Sequence, residues 1–202
     1  MFTGIVQCQG KVVARAARGD GARLTVGAEG GFLDGSAVGD SIAVNGCCLT
    51  VVELGADRFS ADCSKETLAL TTLGTLEPSS RVNLERALTL ATPLGGHLVA
   101  GHVDGVGVVT DYAPEGKGEA AGWRLRVRAP TALARYLARK GSVAIDGVSL
   151  TVNRVDGETF DCTIVPHTHA QTVIEGYAKG TRVNLEADLI ARYVERLMGT
   201  AR

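Results

Sequence analysis

Aromatic residues make up only 4% of this 202-residue chain, and there are only five prolines. With few large rings, any core must be filled mainly by aliphatic side chains, and with few prolines strands are free to pair along both edges. No apolar run approaches the ~20 residues a membrane-spanning helix needs. The opening Met1-Phe2-Thr3-Gly4-Ile5-Val6-Gln7 lacks the basic start and apolar run of a secretory signal. Neither sign of charge dominates: 21 Lys and Arg against 22 Asp and Glu give a net charge of −1, which argues against a nucleic-acid footprint. The five cysteines (Cys8, Cys47, Cys48, Cys63, Cys162) contain no C-x-x-C pair. Cys47 and Cys48 are neighbours, and strand neighbours point to opposite faces, so they neither clamp a metal nor readily bridge. The expectation is a reduced, cytoplasmic protein with no membrane or nucleic-acid partner. Glycine, by contrast, is abundant at 26 residues, as many tight turns between short strands would require.

The chain also contains itself twice. At a shift of 101 residues, Ser41-Ile42-Ala43-Val44-Asn45-Gly46-Cys47-Cys48-Leu49-Thr50-Val51 falls on Ser142-Val143-Ala144-Ile145-Asp146-Gly147-Val148-Ser149-Leu150-Thr151-Val152, and Arg81-Val82-Asn83-Leu84-Glu85 on Arg182-Val183-Asn184-Leu185-Glu186. Across residues 41–85, 15 of 45 positions are identical without a gap, against about three expected from ordinary residue usage. The leading parts align at a shift of 97, which implies four extra residues in the second copy within 114–122. Within each copy, segments such as 24–26, 42–52, 125–127 and 143–152 read as short strands bounded by Gly, Asp and Asn. Asn45-Gly46 and Asp146-Gly147 read either as hairpin turns or as bulges. A helical piece is expected over 131–139, after Pro130, with a counterpart near 31–33. The pattern predicts a mainly β fold of two tandem Greek-key barrels. In the last segment Leu189, Ile190, Tyr193, Val194 and Leu197 recur with helical spacing, opposite Arg192, Glu195 and Arg196. That helix docks either on its own domain or against other subunits.

Few residues offer chemistry. His167 and His169 would share a face on a strand, but no partner stands at metal-ligand spacing, so no metal is expected. The run Gly95-Gly96-His97-Leu98-Val99-Ala100-Gly101-His102-Val103-Asp104-Gly105 is neither a P-loop nor a dinucleotide fingerprint. A Ser–His–acid hydrolase fits the composition but lacks a nucleophile elbow. His102 is the best acid–base candidate, and Cys48 is either a nucleophile or buried filler. Positions that differ between the copies, namely Ile5/His102, Asn45/Asp146, Cys48/Ser149, Ser64/Val165 and Glu66/His167, are where two related pockets could have taken separate roles. Asn83 and Asn184, kept in both copies, are read as maintaining the fold.

The opening, the Asn45 to Val51 stretch, Lys65-Glu66-Thr67-Leu68, the Gly95 to Gly105 run, the Ile145 to Val152 stretch and Pro166-His167-Thr168 together resemble riboflavin synthase of the α-chain type over essentially the whole chain. The resemblance implies two similar six-stranded Greek-key barrels, residues 1–96 and 97–186, followed by a C-terminal α-helix for oligomerisation, 187–202. It implies a transferase that dismutates two 6,7-dimethyl-8-ribityllumazine molecules, moving four carbons to give riboflavin and 5-amino-6-(D-ribitylamino)uracil. No cofactor is needed, the assembly is a homotrimer whose reacting site lies between subunits, and association with lumazine synthase stays open. By resemblance, His102, Cys48, Ser41 and Asp146 carry the catalysis, with Asp146 in the second barrel. Substrate contacts map to Gly4, Ile5, Val6, Cys48, Leu49, Thr50, Asp62, Cys63, Ser64, Lys65, Glu66 and Thr67. In the second half they map to Gly101, His102, Val103, Lys140, Ser149, Leu150, Thr151, Thr163, Ile164, Val165, Pro166, His167 and Thr168. Cys8 and His169 depart from the family's usual glycine and apolar residue. A lumazine or flavin carrier that binds without turnover is the rival reading.

Overall fold

A computed structural model describes residues 1–116, 118 and 121–199. The first copy forms strands β1 (Cys8–Arg18), β2 (Gly21–Ala28), β3 (Ser41–Val44), β4 (Cys47–Leu54), β5 (Arg58–Cys63) and β6 (Arg81–Arg86), with helix α1 (Lys65–Leu70) between β5 and β6. The second repeats this as β7 (Gly105–Glu115), β8 (Gly122–Arg128), α2 (Thr131–Ala134), β9 (Ser142–Ile145), β10 (Val148–Asp156), β11 (Thr159–Ile164), α3 (Pro166–Gln171) and β12 (Arg182–Ala187). Helix α4 (Leu189–Leu197) follows. Each set of six strands closes into an antiparallel barrel with the same strand order, β1-β2-β5-β4-β3-β6 in the first.

Alternation explains the closure. Along β2 every second residue is buried, and Leu24 and Val26 join Ile42, Leu49, Val51, Phe59 and Leu84 in one core. Leu125, Val127, Val143, Leu150, Val152, Phe160 and Leu185 do the same in the second barrel. Register shifts between Val12 and Ala14 and between Val51 and Glu53 recur between Val109 and Asp111 and between Val152 and Arg154. These bulges bend the strands enough for six of them to close. Asn45-Gly46 and Asp146-Gly147 are two-residue hairpin turns with positive φ at both positions (45° and 75°, 44° and 78°), the geometry that matches strand twist. The four extra residues fall in the β7–β8 connection, where 117, 119 and 120 lie outside the described residues. The helix expected over 131–139 is one turn, Thr131–Ala134. It starts from Pro130 without a side-chain cap, and its continuation buries Leu137 through turns instead.

The barrels are clasped across a local two-fold. Asn83 Nδ2 donates to the Asp146 carbonyl (2.9 Å) and Asn184 Nδ2 to the Asn45 carbonyl (2.8 Å). Asn83 Oδ1 accepts from Val173 N (2.8 Å) and Asn184 Oδ1 from Thr72 N (2.7 Å), so each asparagine caps a turn of the opposite barrel. Gly46 and Gly147 meet backbone to backbone. A Cβ on either would lie within 2.8 Å of the other's nitrogen, so both positions require glycine. Phe2, Ala43, Val99 and Ala144 fill the seam beside them.

Candidate functional site

The short segments that precede each barrel meet in this seam, where Phe2 and Val99 form an antiparallel bridge. Each is held to its own barrel by a buried glutamate. Glu85 accepts from Thr3 N (2.6 Å), Thr3 Oγ1 (2.7 Å) and Gly4 N (3.0 Å), and Glu186 from Ala100 N (2.7 Å) and Gly101 N (3.0 Å). Burial pushes the Glu186 carboxyl up to about 7, against the pull of those two amides.

The other edge of each segment reaches across. Cys48 N donates to the Gly101 carbonyl (2.9 Å), and Ser149 N donates to the Gly4 carbonyl (2.8 Å). Val103 packs on the core of the first barrel and Val6 on that of the second. Gly4 (φ 77°) and Gly101 (φ 79°) sit so close to the facing strand that a Cβ would lie 2.5 Å from Ser149 Cβ and 2.7 Å from Cys48 Cβ. Division at residue 96 therefore separates the strands, but each leading segment completes the outer face of the opposite barrel.

Two outer faces result. On the first barrel, strand alternation turns Cys48 and Thr50 outward, with Ser41 opposite Thr50. Asp62 and Ser64 continue this face into α1, where Ser64 Oγ accepts from Thr67 N (3.1 Å) and caps the helix beside the exposed Lys65 and Glu66. Gly101 brings the exposed His102 to this face, beside Cys48. Asp62 is gripped by Arg23 through Nε (2.7 Å) and Nη2 (2.9 Å), which holds its carboxyl below the usual range. On the second barrel the corresponding face carries Ser149, Thr151, Thr163, Val165, Pro166, His167 and Thr168, with Gly4, Ile5 and Val6 supplied from the other end of the chain. Lys140 stands at φ 67°, where the first barrel has Gly39. Its Nζ donates to Asn153 Oδ1 (3.5 Å), and Asn153 Nδ2 donates to Thr163 Oγ1 (2.9 Å).

Several expectations change. Asp146 is not in the second pocket but fully enclosed in the seam. There its carboxyl accepts from Asn184 N (2.8 Å) and Tyr177 Oη (2.5 Å), and burial raises it to about 7. Leu49, Cys63, Leu150 and Ile164 point into the barrel cores, so only their backbones face a ligand. His167 and His169 lie on a helical turn rather than a strand and do not share a face. His169 instead stacks on Trp123 (centroids 3.7 Å apart) and meets Tyr112 Oη at 2.7 Å. Cys48 is half-buried on the outer face, unlike Cys47, Cys63 and Cys162, whose thiols burial raises to about 11–12. His97 carried no assigned role in the sequence. Its Nδ1 lies 2.7 Å from Ser149 Oγ, its buried Nε2 has no hydrogen-bond partner among the described residues, and burial lowers its basicity. The Gly96-His97 pair was the only signal: a Cβ on Gly96 would lie 2.9 Å from Ser149 Oγ, so glycine lets the imidazole approach.

A family model of the lumazine binding domain matches residues 3–87 and 100–188, one match for each barrel with its leading segment. Riboflavin synthase of Mycobacterium tuberculosis is 48% identical, with all of both chains covered. That of Photobacterium phosphoreum is 44% identical over 98% of this chain and 89% of the relative. The chain belongs to the riboflavin synthase family. Among solved structures, LumP complexed with 6,7-dimethyl-8-(1'-D-ribityl) lumazine superposes with a TM-score of 0.81 at 25% identity, covering 93% of this chain and 99% of that one. The lumazine binding domain is thus present twice, and Cys48 of the first barrel is joined through Gly101 to the segment that carries His102.

Proposed function

We infer that this chain is a riboflavin synthase: it converts two molecules of 6,7-dimethyl-8-ribityllumazine into riboflavin and 5-amino-6-(D-ribitylamino)uracil by transfer of a four-carbon unit. The observation that carries this reading is the pair of symmetry-related faces with different polar groups, one holding His102 beside Cys48 and the other Ile5 beside Ser149. A reaction between two copies of one compound needs two sites of one shape and two chemistries. The two products contain every atom of the two substrates, so no oxidant or reductant is consumed.

The lumazine C7 methyl is acidic because its anion delocalises into the ring, and His102 is positioned to move that proton. Addition of a nucleophile to the other lumazine falls to Cys48, to Ser41 on the neighbouring strand or to a water; Asp146 is withdrawn from the catalytic set because its carboxyl is committed to the seam. Lys140, Thr163, Thr151 and Ser149 bind the second ring with Gly4, Ile5 and Val6. Holding both rings face to face lowers the barrier further, by up to ~7–11 kcal/mol in ideal cases.

Both faces are open: Ile5 and Val165 are 49% and 52% exposed on the second, and Thr50 and His102 are exposed on the first. Helix α4 turns Ile190, Tyr193, Val194 and Leu197 outward, at 65, 64, 47 and 86% exposure, so among the described residues its apolar stripe has no cover. Both features support a homotrimer in which α4 packs on its counterparts and a first pocket faces a second pocket of a neighbour. Sedimentation equilibrium at three times the chain mass is the expected result. We further propose cytoplasmic residence and leave lumazine synthase as a partner to be sought by co-purification.

The test is to incubate the purified chain with the lumazine and follow riboflavin by absorbance. Turnover without added cofactor is expected, whereas tight binding without turnover would move the chain to the carrier class.

A further inference from the structure

The two leading segments share most contacts, and one of the places where they differ lies behind His102. In the first copy Gln7 Oε1 accepts from Arg86 N (2.9 Å). At the matching position the second copy has Asp104, whose Oδ2 accepts from Ala187 N (2.8 Å). The substitution puts a carboxylate where a neutral amide was sufficient for the backbone contact. Asp104 is partly buried and adjoins Glu186, which itself holds the amides of Ala100 and Gly101, so two acids stand behind one short segment.

One cation answers both. Arg192, on α4, donates from Nη2 to Asp104 Oδ2 (2.7 Å) and to the His102 carbonyl (3.2 Å). It is only 35% exposed and its partner 16%, so the pair is better shielded than an ordinary surface bridge. The same face of α4 is tied to the second barrel by Glu195, which meets Tyr136 and Arg135. The helix thus presents its apolar stripe outward and grips the His102 segment with its polar side.

We propose that Arg192 is a positioning residue for His102, holding that segment over the first pocket and coupling the placement of α4 to turnover. The proposal rests on the reading of His102 as the proton-moving group and adds what fixes it there. It also gives the terminal helix a role inside the active site of its own chain, separate from any role in assembly.

The test uses Arg192→Met, Arg192→Lys and Asp104→Asn in the full-length chain. Arg192→Met is expected to lower kcat about 10- to 100-fold, the scale of a sub-ångström misplacement, with KM for the lumazine within about twofold. Arg192→Lys should recover part of that loss. Arg192→Met combined with Asp104→Asn should be no worse than the more damaging single change, because both act through one contact. A second measurement is independent of turnover: amide hydrogen exchange at Ala100 and Gly101, the hydrogen-bonded amides of the segment, should quicken about tenfold or more in Arg192→Met, while β2 and β5 keep their protection. Unchanged exchange at those amides overturns the proposal. So does a fall in kcat that merely follows lost assembly or a lowered melting temperature, or an additive double variant. A wild-type chain that binds lumazine without forming riboflavin would sink the catalytic reading, and exchange alone would then decide whether Arg192 holds the segment.

Discussion

The two barrels close in the same order, bulge at equivalent positions and clasp each other through equivalent asparagines, yet their outer faces differ group by group. Where the first has Cys48, a Ser64 cap with Glu66 behind it and His102, the second has Ser149, an uncapped Val165-Pro166-His167 turn and Ile5. Most of what holds the fold was kept in duplicate, with the buried Asp146–Tyr177 contact as an exception. The outer surfaces diverged, and under the proposed function that divergence is proton transfer on one side and binding on the other.

His102→Gln should break that division most severely. Turnover is expected to fall by about 10²-fold or more, the usual contribution of a general acid–base group, while lumazine affinity at the second pocket is retained. Equal losses of rate and affinity would remove His102 from proton transfer. Gly101→Ala and Gly4→Ala separate the two faces differently. Each places a methyl against the facing strand at positive φ, at a cost of about 1–3 kcal/mol. Calorimetric titration should show one of two lumazine sites lost in each variant, with riboflavin formation abolished in both. Loss of the same site in both would disprove the crossing of the segments.

Asn83→Ala and Asn184→Ala test the symmetric part. Each leaves a buried N–H and a carbonyl unpaired, so urea unfolding should show a similar loss in both, about 1–3 kcal/mol. Unequal losses would mean that the clasp is not shared.

Asp146→Asn makes the second turn identical to the first. The folded-state carboxyl titrates near 7, well above the unfolded value of about 3.9, so its contribution to stability is full below pH ~4 and is lost as pH rises through ~7. The variant should therefore flatten the fall in stability between about pH 4 and 7, leaving the smaller slope due to Glu186. A profile unchanged by the substitution would contradict the buried, protonatable state of Asp146.

The repeat, the barrels and the terminal helix were legible in the sequence because they rest on alternation, turn dipeptides and helical spacing. The crossing of the leading segments was not. Cys48-Leu49-Thr50-Val51 and Ser149-Leu150-Thr151-Val152 offer nearly the same docking strand, so sequence alone does not say which one Gly4 or Gly101 meets. Asp146 was misread for a related reason: it differs from Asn45, and a difference between copies looks like function. Here the carboxylate answers Tyr177, which stands where the first copy has Leu76. Leu49, Cys63, Leu150 and Ile164 lie within contiguous motif stretches, but strands expose only alternate residues, and these four face inward.

The crossed segments also give the two faces different histories. Cys48 and Gly101 are 53 positions apart, whereas Gly4 and Ser149 are 145 apart. Contacts over longer loops form later and at greater entropic cost. As the chain leaves the ribosome, Gly101 can meet Cys48 once little more than the first half has been made, and the clamps from Glu186 and Arg192 close on that segment afterwards. The face holding Ile5 must wait for the start of the chain to find a strand synthesised near the end. Two sites equivalent in space are thus unequal in time, and the slow step of folding should be the docking of the first six residues.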